Sequence, residues 1–126
     1  GRVGKVRKIM PGLNAAFIDV GEDKDGFMHY LDLGLDYKSV DKYLRLALNG
    51  DASTRTLKDF KIEPVMEKNG NLNDVLKVGQ LVLTQVAKEP ISTKGPKLTG
   101  DISFAGRYLV LTPFGNNVSI SQKIKG

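Results

Sequence analysis

The chain contains no cysteine. Disulfides and thiolate metal centres are therefore excluded within it, and a cytoplasmic location is the expectation. One histidine, His29, is present, so no Cys–His pair exists to form a nucleophile. No apolar run approaches the ~20 residues of a membrane span. The opening Gly1-Arg2-Val3-Gly4 has neither the apolar core of a secretory leader nor an initiator methionine. The sequence reads as an excised piece of a longer chain, with residues 1–3 not necessarily native to it. Lys94-Gly95 stands without the remaining glycine-rich pattern of a phosphate loop. Asp23-x-Asp25-Gly26 has part of a calcium-loop spacing, but the alignment puts Gly21 at the first ligand position and Asp32 where a bidentate glutamate belongs. A solvated hairpin tip fits those charges better. No internal repeat or low-complexity tract is present.

What remains is a basic domain with enough apolar residues for one core. The 126 residues are 40% hydrophobic, and 19 Lys and Arg against 14 Asp and Glu give a formal charge of +5. That balance favours polyanions, nucleic acid first and anionic membrane second.

Three blocks follow one another. In the first, Gly4–Met10, Ala15–Val20 and Gly26–Tyr30 read as strands, separated by the turn Pro11-Gly12-Leu13-Asn14 and by the charged tip that follows Gly21. The second block, about 33–72, breaks the pattern. Val40, Tyr43, Leu44, Ala47 and Leu48 share one helical face, so a helix over 40–48 is expected, with Ser39 as N-cap. A polar stretch, Gly50–Thr56, and a turn at Lys68–Asn71 follow. The third block carries strands at Leu81–Lys88, Lys97–Phe104 and Arg107–Pro113, with a short one at Val118–Ile120. A mainly β fold results: a five-stranded OB-type barrel with a helical insertion between its third and fourth strands. The domain proper is expected to span 1–104, and 105–126 to begin the following segment.

Strand alternation assigns the faces. Ala16, Ile18 and Val20 share one face of the second strand; Ala15, Phe17 and Asp19 share the other. The aliphatic face must be the core, because burying Asp19 unpaired is costly. Phe17 therefore points outward, and with Phe27 and His29 of the next strand it forms one outer patch. Two readings stand for that patch. Either bases stack on it, with Lys5, Arg7, Lys88, Lys94 and Lys97 nearby for phosphates, or the inserted helix caps it as a second small core. His29 is expected to stack or contact phosphate, not to act as a general base, since no orienting acid or nucleophile is apparent in the sequence.

These residues also carry a resemblance. Gly4-Lys5-Val6, Ala16-Phe17-Ile18-Asp19-Val20-Gly21 and Gly26-Phe27-Met28-His29 look like the S1 RNA-binding pattern. Pro11–Phe17, Val86–Gly95 and Leu98–Leu111 more narrowly resemble the ribonuclease E/G family, and within it ribonuclease G. The resemblance implies RNA stacking on Phe17 and Phe27 and an RNA contact from Lys94. His29 matches the general S1 pattern but is not universal in that family. Gly106 and Val110 match part of a pocket sensing a 5′-monophosphate, whose other residues lie outside this chain.

The resemblance further implies a parent that is a homo-oligomeric, Mg²⁺-dependent endoribonuclease. Its carboxylates and Cys-x-x-Cys zinc motif are not in this sequence. The chain itself is expected to bind single-stranded RNA without cleaving it and without a cofactor. The rival is a protein-interaction module whose aromatic face packs on the insertion or on a neighbouring subunit. The segment 33–72 is longer than in the better-known family members, and the resemblance assigns it no role: it can cap a barrel end, contact the rest of the enzyme or hang loose.

Overall fold

A computed structural model describes residues 2–50, 60–88, 95–100, 107–114 and 117–124. Strands β1 (Arg2–Met10), β2 (Ala15–Asp19), β3 (Gly26–His29), β4 (Leu81–Lys88) and β5 (Lys97–Thr99) close into a barrel in the order β1-β2-β3-β5-β4. Every pairing is antiparallel except β3 with β5. Closure removes the free edges that would otherwise invite aggregation, and five strands in this order make an OB-type fold. Strands β6 (Arg107–Phe114) and β7 (Asn117–Ile124) form a separate antiparallel hairpin.

The inward faces are the expected ones. Val6, Ala16, Ile18, Met28, Val82 and Leu98 are all buried in one cluster. Two glycines are demanded by that packing. A Cβ at Gly4 would lie 2.4 Å from Ile18 Cγ2, and one at Gly26 2.3 Å from Leu98 Cδ1. Gly4, near the start of the first strand, and Gly26, which opens the third, are thus sites of close approach.

Between β3 and β4, among the described residues, stands one α-helix, α1 (Tyr37–Leu48). It begins earlier than its apolar spacing suggested, and Ser39 is not its N-cap. The cap position is Asp36, which makes no side-chain cap bond. The Ser39 hydroxyl instead accepts from the Glu63 backbone N–H at 2.9 Å, tying the returning chain to the helix. Val40, Leu44 and Ala47 are buried against Leu83, with Val3 and Tyr43 packed alongside. Val3 and Leu83 are paired residues of β1 and β4. The helix therefore covers the outer face of the barrel at β1 and β4.

The described part of the insertion is tied in at several points. Tyr37, Met66, Leu72 and Leu76 are buried in the main core. Burial pushes the Tyr37 phenol pKa up, and its oxygen accepts from Gln80 Nε2 at 2.9 Å. Tyr30 donates its hydroxyl proton to the Glu67 carbonyl. Asn14, in the left-handed region at φ 51°, donates from Nδ2 to the Gly70 carbonyl and accepts from the Leu72 N–H at Oδ1. A Cβ at Gly70 would meet the Tyr30 hydroxyl, so this crossing is packed to contact. Residues 60–76 are thus a strap closed over one end of the barrel, while the polar stretch from 51 lies outside the described residues.

Asn14→Ala is expected to lower the unfolding free energy by about 1–3 kcal/mol, through two lost hydrogen bonds and a left-handed alanine. Asn14→Gly should recover only the backbone part. Urea midpoints at constant m-value measure both; an unchanged midpoint in the alanine variant would remove the strap's anchor.

Candidate nucleic-acid interface

The β2–β3 register sets Phe17 directly opposite Phe27. Their ring centroids are 5.8 Å apart at 66°, an edge-to-face contact worth about 0.5–1.5 kcal/mol beyond its buried area. Both rings are half-buried on the outer face, above the buried Ala16, Ile18 and Met28. The inserted helix packs elsewhere, on Val3 and Leu83. The capped-core alternative thus fails for the described helix, which does not take the aromatic pair as its packing partner.

His29 lies on the same face as Phe27, two residues along, and is half-buried. Its Nδ1 accepts the Leu31 N–H at 3.1 Å, and its own N–H donates to Asp32 Oδ2 at 2.9 Å. This reciprocal box caps the short helix Tyr30–Leu33. With Nδ1 used as an acceptor, the neutral ring carries its proton on Nε2. Capping is a task that sequence reasoning did not assign to His29.

Lys97 follows the aromatics in register, as the β5 partner of Phe27. Its ammonium sits 4.8 Å from the Phe27 ring centroid and 2.6 Å from Asp32 Oδ2. Arg7 reaches toward the tip of the β2–β3 hairpin, where it pairs with Asp19 at 3.0 Å and Asp25 at 2.7 Å. The Asp25 carboxylate is thus an arginine partner. Lys5 stands opposite Asp19 and is exposed. Lys88 pairs with Lys97 across β4 and β5.

Val110 is on β6, opposite Ser121 in the separate hairpin. Lys94 and Gly106 lie outside the described residues, as does most of the loop between β4 and β5. Among the described residues, no group of three or more His, Cys, Asp or Glu could hold a metal ion. The same residues include no helix long and apolar enough to cross a membrane.

Two participants were missed by sequence reading. Asp32 was considered only as a calcium ligand, yet it joins the His29 cap to Lys97. Lys8 was missed because strict alternation hides it. The pairing of β1 with β2 shifts between Val6 and Lys8, leaving Arg7 as the extra residue of a bulge. Beyond it the parity flips, and Lys8 pairs with Phe17 while Ile9 packs against the core.

A closed five-stranded barrel with a half-buried aromatic pair on the outer face of its second and third strands has the OB-type fold. No protein-family profile matches the chain. It is 38% identical over 124 residues to ribonuclease E of Nostoc sp., covering 98% of this chain and 14% of that protein. It is 37% identical over 125 residues to ribonuclease E of Synechocystis sp., covering 97% and 14%. Ribonuclease G of Escherichia coli is 33% identical over 122 residues, covering 97% and 21%. The chain belongs to the ribonuclease E/G family, of whose members it spans one segment. Relatives bearing both names align along almost all of it, so the alignments do not separate the ribonuclease G branch from the other.

His29→Ala is expected to cost about 1 kcal/mol as a lost cap, and His29→Asn, a good cap, to restore most of it. Thermal melting compares the two; equal losses would mean that the ring acts through packing instead.

Proposed function

We propose that the chain is the S1-type RNA-binding domain of a ribonuclease E/G endoribonuclease, and that it holds single-stranded RNA while other domains cut. One observation carries the reading: Phe17 and Phe27 face each other on the strand 2–3 surface, outside the core and away from the helix. OB barrels use that surface and its flanking loops for oligonucleotides. An unpaired base offers a π-face to such rings, whereas a base inside a duplex does not. The bordering turn Pro11–Asn14 would flank the bound strand, and Lys94 would add the RNA contact that the family resemblance implies. Lys5 and Lys88 would supply the local positive field, and Arg7 and Lys97 would exchange their carboxylate partners for phosphates. The Nε2–H of His29 takes no part in the cap bond and would be available to a phosphate or base acceptor.

Hydrolysis belongs to the parent on this reading. Mg²⁺ in the parent would be held by carboxylates of another domain, and no step of the cleavage is assigned to residues of this chain. Gly106 and Val110 would form part of a 5′-monophosphate pocket completed elsewhere. The parent would act in RNA processing in the cytoplasm as a homo-oligomer.

Base stacking on an aromatic contributes about 1–3 kcal/mol per base. Phe17→Ala and Phe27→Ala are therefore each expected to weaken binding of a short single-stranded RNA by roughly five- to a hundredfold, with the fold retained by circular dichroism. Fluorescence anisotropy provides the measurement, and wild-type affinity in both variants would end the stacking reading.

A further inference from the structure

The strand registers place five residues in one row around the barrel. Lys8 pairs with Phe17, Phe17 with Phe27, Phe27 with Lys97, and Lys97 with Lys88. The two aromatics are thus bracketed in register, by Lys8 on β1 and by lysines on β5 and β4. Three interstrand steps of about 4.8 Å separate Lys8 from Lys97, roughly 14 Å across the outer face.

The cations of this region differ in what holds them. Arg7 is bound by two carboxylates and Lys97 by one. Lys8 is exposed and makes no ion pair among the described residues. The bulge is what turns it onto this face. In a regular strand without the bulge, alternation would direct Lys8 inward with Val6.

We propose that Lys8 is a phosphate-binding residue, holding the backbone of a single-stranded RNA on the β1 side of the aromatic pair. The bound strand then runs across the barrel strands, from β1 to β5, with its bases on Phe17 and Phe27. An ammonium without a carboxylate partner gives up no ion pair when a phosphate arrives, so its whole contribution appears as counterion release. Lys97 must exchange Asp32 for the phosphate and gains less. This inference rests on the proposed RNA binding and adds a residue and a direction to it.

The test is anisotropy with a short single-stranded RNA across a salt series, on the 126-residue chain and its variants. Lys8→Gln should weaken binding several-fold and reduce the log–log salt slope by about 0.7. Lys8→Arg should retain both affinity and slope. Lys38→Gln, an exposed lysine of α1, is the control and should leave the slope alone. Wild-type behaviour of Lys8→Gln, while Phe17→Ala still weakens binding, would overturn the assignment and leave the stacking reading intact. Equal slope losses in Lys8→Gln and Lys38→Gln would also overturn it, since a general field would then suffice. Loss of any effect from Phe17→Ala and Phe27→Ala would remove the stacking reading and this inference together.

Discussion

The register between β2 and β3 is the constraint on which the rest of the molecule depends. In the observed register Ala16, Ile18 and Met28 are fully buried, and Phe17 meets Phe27 outside. A slip of one residue would exchange every one of these side chains between core and solvent. It would bury Asp19, which now accepts from the Gly21 N–H and pairs with Arg7. Both ends of the hairpin hold the register in place. At one, Gly26 admits Leu98 into direct contact. At the other, the Asn14 carbonyl accepts the Tyr30 N–H at 2.8 Å, continuing the ladder beyond His29. The core and the outer aromatic pair are therefore two consequences of a single choice.

Closing the barrel creates an outer surface as well as a core, and the insertion divides that surface. Apolar residues on the outside of β1 and β4, Val3 and Leu83, are covered by α1. The outside of β2 and β3 carries larger rings and is left to solvent by that helix. The strap through Met66 and Leu72 fastens the insertion to the main core, and Asn14 joins it to the turn before β2. A helix held on one side by this many separate contacts cannot readily swing over the other. The insertion's helix thus packs on one face of the barrel and does not take the aromatic pair of the other face as its partner.

Much of this was legible in the sequence, for a simple reason. Ala16-Phe17-Ile18-Asp19-Val20 has one apolar face and one carboxylate, so alternation leaves a single sensible orientation. The turns at Pro11–Asn14 and after Gly21, and the helical spacing from Val40 to Leu48, are similarly local signals. What escaped was non-local or broke a period. The Arg7 bulge inverts the alternation of β1 and so concealed Lys8. Ser39 looks like a helix cap because its neighbours in sequence permit it, yet its actual partner, Glu63, is 24 residues away. His29 was read as a ligand-facing residue, and its cap depends on Asp32 turning back three residues later. The bulge and the Ser39–Glu63 bond leave no pattern in composition or spacing; the His29–Asp32 pair has the spacing of a capping box, but histidine is not among the usual cap residues.

The acids around the outer face bear on how such a surface discriminates. Asp19, Asp25 and Asp32 neutralise Arg7 and Lys97 at contact distance. Exposed ion pairs of this kind contribute only ~0–1 kcal/mol to stability, so their main effect is on the local field. They lower the positive potential beside the rings without covering the rings themselves. A duplex, whose bases are already stacked and paired, could bring only its phosphates and would meet this weakened field. A single strand brings phosphates and free bases together, and the bases find Phe17 and Phe27 open. On the proposed reading, affinity for RNA on this face would come from stacking first and charge second. A surface lined by lysines alone would reverse that order, and with it the preference for unpaired strands that the proposal carries.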